Sequence, residues 1–86
     1  MDLMITAHLK SSYDSWKTLF DGDSARAEYC NESKTMVSKV DDKTALIVLF
    51  DVDKAKMEAR ISSPEFEELV KDHVDRHDLY TLHGFS

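Results

Sequence analysis

The sequence predicts a single α+β domain with a ferredoxin-like order of strand, helix, strand, strand, helix and strand. Three observations support this prediction. The chain has 86 residues, which is enough for one domain, residues 1–86, and no second. Segments with an apolar period of two flank segments with an apolar period near 3.6. A short polar turn over residues 41–43 joins two strand-like runs, as in an antiparallel hairpin. We therefore expect a four-stranded antiparallel sheet with the helices on one face.

Strands are predicted at four places along the chain. Residues 3–9 alternate between two faces, which is typical of a strand. Residues 35–40 and 44–50 flank the polar turn, and the second run is almost continuously apolar. A continuous apolar run is typical of a central strand that is covered on both faces. Residues 79–85 alternate weakly and predict the closing strand.

An aromatic stripe predicts the first helix. Tyr13, Trp16 and Phe20 recur at the spacing of one helix side. Gly22 follows the last periodic residue, where glycine commonly ends a helix. Residues 25–30 have a helix-favouring composition and predict a second, short helix.

The second helical region is predicted in two halves. Residues 54–61 form the first half. The residue before a proline is driven out of helical conformation, so Ser63 is the predicted N-cap of the second half and Pro64 its first residue. One side of this second half carries Phe66, Leu69, Val70, His73 and Val74.

The face of the sheet that the helices leave bare predicts a homodimer. That face would carry Met4, Thr6 and His8, or the residues that alternate with them, together with half of the apolar third strand. So much apolar surface is unusual on a monomer, and a chain this short has only a small core of its own. We expect a second copy to pack against it, sheet to sheet.

Composition excludes several classes of function. The chain has 11 Lys and Arg against 17 Asp and Glu, a net charge of −6, which argues against nucleic-acid binding, including that of an RNA-recognition motif. The longest apolar run, over residues 45–50, is too short to cross a membrane, and no secretory signal pattern is present. The single cysteine fits a reducing compartment and excludes a Cys-x-x-Cys metal-transfer domain. A cytoplasmic protein is expected.

Two segments resemble the dimeric α/β-barrel superfamily. They are residues 13–17 (Tyr-Asp-Ser-Trp-Lys) with Phe20-Asp21, and residues 45–56 with the Ser62-Ser63-Pro64-Glu65-Phe66 restart. The branch that they resemble holds short domains of unknown function near antibiotic-biosynthesis-type monooxygenases and polyketide cyclases. The resemblance implies a protomer that pairs through its open sheet face, with space for a small apolar organic ligand between sheet and helices.

The resemblance carries over no catalytic residue. Some of the monooxygenases use an asparagine on the first strand, whereas the one asparagine of this chain is Asn31. The only tryptophan, Trp16, lies on the first helix and not in the sheet. Some relatives act on haem, but no histidine here matches a haem ligand. We expect no cofactor.

The expected ligand pocket lies between the sheet and the first helix, with His8, Trp16, Phe20 and Tyr80 as its lining. Tyr80 would lie opposite His8 if the last strand pairs antiparallel with the first. A histidine and a tyrosine in a dry cleft can exchange a proton with a ligand or bind its carbonyl, and His8 is the one candidate for proton transfer. The alternatives are a histidine satisfied by one hydrogen bond and an aromatic stripe that only packs in the core.

Three further residues have a chemical and a structural interpretation. His73 and His77 have the i, i+4 spacing of a metal pair if the helix continues through His77, but no third ligand is evident. Histidines near a helix C-terminus are also favoured by the helix dipole, and we expect no metal. Cys30 lies near the end of the short helix, where a thiol is a poor nucleophile, so an inert side chain is expected.

The expected function is binding of a small hydrophobic ligand. Two alternatives remain open. One is a cofactor-independent enzyme, an oxygenase, cyclase or isomerase, that acts on a hydrophobic ring compound. The other is a purely structural assembly domain. The enzyme requires a cavity that solvent can reach, whereas the assembly domain requires a filled core.

Overall fold

Residues 1–83 form four strands and three α-helices. The computed structural model describes residues 1–83. The elements are β1 (Asp2–Leu9), α1 (Tyr13–Gly22), two short 3-10 helices (Ser24–Glu28 and Glu32–Lys34), β2 (Met36–Asp41), β3 (Thr44–Leu49), α2 (Lys54–Ile61), α3 (Pro64–Val70) and β4 (Val74–Leu82).

The strands form one antiparallel sheet in the order β2-β3-β1-β4. Strand β1 lies between β3 and β4. Its residue Ile5 is paired with Ile47 of β3 on one side and with Leu79 of β4 on the other. The α+β class and the four-stranded antiparallel sheet are confirmed. The element order and the strand order are those of a ferredoxin-like fold.

The core lies between one face of the sheet and the helices. Burial alternates along β1, where Leu3, Ile5, Ala7 and Leu9 are buried, and along β3, where Ala45, Ile47 and Leu49 are buried. Trp16 of α1 and Met57 of α2 join the same buried cluster. Because each large apolar side chain contributes about 1.5–3 kcal/mol when fully buried, this one cluster dominates the stability.

Polar caps fix where the helices begin. Ser12 precedes α1, and its side chain accepts a hydrogen bond from the Ser15 amide at 3.2 Å. Ser63 does the same for α3, accepting from the Phe66 amide at 3.2 Å, with Pro64 as the first helical residue. The prediction of a helix restart at Ser63 and Pro64 is confirmed.

The end of the second helical region differs from the prediction. Helix α3 ends at Val70, so His73 and Val74 are not on it. Strand β4 begins at Val74, which pairs with Leu9, instead of at residue 79. The carbonyl of His73 accepts a hydrogen bond from the Lys10 amide at 2.8 Å, which anchors the start of β4. Pairing with β1 therefore prevails over the helical spacing. Strand β4 ends at Leu82, and residues 84–86 lie outside the described part.

Two further expectations are corrected. Strand β3 is not covered on both faces, because Thr44, Leu46 and Val48 are only half-buried. The short helix predicted at 25–30 is a 3-10 helix over Ser24–Glu28. Within residues 1–83, no helix combines the length and the apolar character that crossing a membrane requires.

Candidate ligand cavity

A cavity of about 310 Å³ lies between the helix-facing side of the sheet and the helices. Ile5, Ile47 and Leu79 contribute its sheet side, and Trp16, Phe20 and Phe66 are among its helix-side residues. The volume is at the lower end of the range for small-molecule sites, about 300–1,000 Å³. The space therefore suits a small, largely apolar molecule.

The aromatic stripe of α1 both packs in the core and lines the cavity. Ring centroids of Tyr13 and Trp16 are 5.7 Å apart, and those of Trp16 and Phe20 are 5.1 Å apart. Trp16 is only 3% exposed, whereas Phe20 is half-buried. Trp16 and Phe20, both predicted to line the pocket, do line this cavity.

His8 and Tyr80 lie on the other face of the sheet, away from the cavity. They alternate with the buried residues of their strands, so the four residues of the expected lining do not share one site. Tyr80 lies opposite Met4, and the residue opposite His8 is Arg76. The partner of His8 is instead Asp78, with 2.8 Å between Nε2 and Oδ2. This bond holds the pKa of the Asp78 carboxyl below its usual value.

Arg26 is the most deeply buried charged residue at the cavity, at 5% exposure. Its Nη2 lies 2.6 Å from Oε1 of Glu32 and its Nε lies 2.8 Å from Oε2. Its Nη1 donates to the Phe20 carbonyl at 3.1 Å, and the guanidinium stacks 3.5 Å from the centroid of the Phe20 ring. The positive charge is therefore already neutralised by the protein.

Asp23 is the acidic residue of the lining, and it is also paired. Its carboxylate accepts from Nη2 of Arg60 at 3.4 Å and from the Ala25 amide at 3.2 Å. The Nε atom of Arg60 is buried and has no hydrogen-bond partner within residues 1–83. Both charged side chains of the lining thus have a counterion.

Two uncharged polar side chains complete the lining, Tyr29 and His77. Burial raises the pKa of the Tyr29 phenol to about 12, with a smaller contribution from Asp23, so this group stays protonated near neutral pH. Burial lowers the pKa of His77, which favours the neutral imidazole. The His77 ring lies 6.1 Å from that of Phe66, between centroids.

The sequence reasoning missed His77 as a cavity residue because it placed His77 beyond the end of a helix. In the structure His77 lies on β4, where Ala7 is its partner on β1. The sequence did contain a pattern that indicates this position. His77 and Leu79 are two residues apart, so in one strand their side chains lie on the same, helix-facing side. His73 lies before β4, and its Nδ1 is 3.0 Å from the Ser11 hydroxyl. The two histidines therefore do not form the i, i+4 helical pair considered above.

Neither a metal set nor a reactive thiol is assembled by the described residues. Over positions 1–83, no three His, Cys, Asp or Glu side chains group as metal ligands would. The Cys30 thiol is buried and donates to the Arg26 carbonyl at 3.4 Å. Burial raises its pKa, which disfavours the nucleophilic thiolate.

Comparison with known proteins bears on the fold. No protein-family model matches the chain, and no curated protein matches it by sequence. Among solved structures the chain is similar to the crystal structure of PA3566 from Pseudomonas aeruginosa, with a TM-score of 0.62 at 13% sequence identity. The match covers 99% of this chain and 93% of that chain. At this identity the likeness shows a shared fold across the whole domain.

Proposed function

We propose that this chain is a homodimeric protein of the dimeric α/β-barrel type that binds a small hydrophobic organic ligand between its sheet and helices. The observation that carries the proposal is the cavity of about 310 Å³ between the sheet and the helices of so small a domain. Protein interiors are normally close-packed, and space left inside a core costs stability. A ligand that fills the space supplies the missing contacts, whereas a purely structural assembly domain has no use for it.

The open face of the sheet supports the homodimer. Tyr80 is 52% exposed and Met36 is 60% exposed on this face, and Met4, Leu46 and Val48 lie half-buried between them. These side chains belong to all four strands, so the apolar surface is continuous across the sheet. Continuous apolar surface of this kind marks an interaction site, and a second copy offers the same surface in return.

Native mass spectrometry of the wild-type protein and two variants tests the dimer. Val48→Glu introduces a charge at the centre of the open face, whereas Ala55→Glu introduces the same charge at an exposed residue of α2, on the other side of the sheet. We expect a dimer for the wild type and for Ala55→Glu, and a monomer for Val48→Glu, because a buried unpaired carboxylate is costly. A monomeric wild type would contradict the dimer.

Titration with naphthalene tests ligand binding. Trp16 is the only tryptophan of the chain and lines the cavity, so its fluorescence is a probe of this site. We expect saturable quenching or a spectral shift in the wild type. Leu69→Phe fills part of the cavity and should weaken binding, whereas Ala55→Phe adds the same ring at an exposed residue outside the lining and should leave it unchanged. Equal binding by both variants, or none by the wild type, would contradict the proposal.

A further inference from the structure

We propose that the cavity selects uncharged ligands that carry a hydroxyl or carbonyl group, and that the imidazole of His77 holds this polar atom. This inference rests on the proposed ligand-binding function and specifies the class of ligand. Three features of the cavity support it: the charge balance of the lining, the surroundings of His77 and the second uncharged polar residue, Tyr29.

The charge balance of the lining excludes a charged ligand. The cationic side chain, Arg26, is neutralised by two short contacts to Glu32, and the anionic side chain, Asp23, is paired with Arg60. A carboxylate or ammonium group in this apolar space would lose its hydration without gaining a free counterion. An anion would also have to compete with Glu32 for the guanidinium.

His77 is a polar residue of the lining whose ring nitrogens are free to form hydrogen bonds with a ligand. Its side chain faces the helices from β4, in contact with Phe66, and it has no hydrogen-bond partner in residues 1–83. A neutral imidazole offers one donor and one acceptor in either tautomer. The ring is half-buried, so a ligand hydroxyl or carbonyl that replaces its remaining water and pairs with it gains the net free energy of one hydrogen bond.

Tyr29 reinforces the same selection. Its ring is 7% exposed, and Asp23 and Arg26, both of the lining, are close enough to affect its pKa. The phenol stays protonated, so it adds a hydrogen-bonding group and no charge. The lining therefore combines a large apolar surface with two uncharged polar groups, which suits a phenol, an enol or a ketone.

Three naphthalene probes of the same ring size test the inference by calorimetry at neutral pH. They are naphthalene, 2-naphthol, which is neutral, and 2-naphthoate, which is an anion. We expect 2-naphthol to bind roughly three- to tenfold more tightly than naphthalene, the gain of one hydrogen bond. We expect 2-naphthoate to bind at least about tenfold more weakly than 2-naphthol, because its charge has no partner. Equal or tighter binding of 2-naphthoate would overturn the inference.

Two variants test the role of His77. His77→Phe keeps a ring but removes the hydrogen bond, so this variant should bind 2-naphthol only as tightly as it binds naphthalene. His77→Gln keeps a donor and an acceptor and should retain part of the preference for 2-naphthol. An undiminished preference in His77→Phe would overturn the assignment. If this variant does not fold, the wild-type comparison and His77→Gln decide the question.

The two proposals fail in different ways. If naphthalene binds but neither polar probe is distinguished from it, the selection by His77 is wrong and the proposed function stands. If none of the three probes binds, the proposed function is contradicted and the inference falls with it.

Discussion

Neutralising Glu32 should destabilise the domain through its effect on Arg26. The guanidinium of Arg26 is buried, and the carboxylate of Glu32 is its only charged partner, at 2.6 Å from Nη2 within the described chain. In Glu32→Gln the cation keeps the Phe20 carbonyl at 3.1 Å and the Phe20 ring beneath it, but it loses its counterion. A buried cation without a counterion favours the unfolded state, in which water solvates it.

The expected loss is about 2 kcal/mol in the free energy of unfolding. Hydrogen bonds to charged groups contribute about 1.5–3 kcal/mol, and removing one partner of a fully buried pair costs about 3–5 kcal/mol. The Glu32 side chain is 41% exposed, whereas that of Arg26 is 6% exposed, so water near Glu32 compensates part of the loss. A value in the lower range follows.

Urea unfolding followed by Trp16 fluorescence measures this loss by linear extrapolation. The matched control is Glu58→Gln, which makes the same change at a residue that is 60% exposed and 4.0 Å from Nζ of Lys54. The control should stay within about 0.5 kcal/mol of the wild type. In Arg26→Met, the further change Glu32→Gln should cost almost nothing, because no buried cation remains. If Glu32→Gln is as stable as Glu58→Gln, the reasoning about the buried cation is refuted.

Three further predictions concern a helix cap and two titrating groups. Ser63→Ala removes the acceptor of the Phe66 amide and should lower the free energy of unfolding by about 1 kcal/mol in urea titrations, and an unchanged value would show that this cap contributes nothing. The Asp78 carboxyl, hydrogen-bonded to His8, has a pKa in the folded state below its usual value of 3.8. Its contribution to stability is therefore present above pH 3.8 and is lost as the pH falls through the lower folded pKa. Asp78→Asn should abolish this loss in urea midpoints measured across that acid range, and an identical acid profile would contradict the role of the pair. His77, whose folded pKa lies below 6.5 because of burial, is penalised on protonation, so stability should fall as pH drops from 6.5 through the folded value. A proton NMR titration should show the His77 ring titrating below 6.5, and a value at or above 6.5 would contradict its burial.

Local pattern in the sequence was sufficient to predict most of the elements. Alternation over residues 3–9 identifies β1 because side chains in a strand point to opposite faces in turn. The Ser63-Pro64 restart is equally local, since the proline ring restricts only the residue before it. The same alternation puts His8 on the face opposite Leu3 and Ile5, but it does not indicate which face the helices cover, and the expectation that His8 lines the pocket is wrong.

Pairing between distant segments was the part that local pattern missed. The spacing of Phe66, Val70 and Val74 fits a helix, but Val74 pairs with Leu9 in the sheet. Extending β4 back to residue 74 is favourable because it adds hydrogen bonds to β1. Strand β1 is distant in sequence, so the residues around position 74 do not reveal this pairing. The register of β4 follows from the same pairing, and it places Tyr80 opposite Met4.

The sequence by itself determined the class of fold, the aromatic stripe of α1 and the presence of a sheet face with apolar residues that the helices do not cover. These features depend on the period of apolar residues within single elements. Only the tertiary structure decided the chemistry of the cavity. It brings His77 from β4 and Tyr29 from the α1–β2 connection into one lining, and it pairs Arg26 with Glu32 so that no free charge remains there. The polarity of a cavity depends on which side chains from distant segments meet and on which partners they have already found, and neither is encoded in the spacing of one segment.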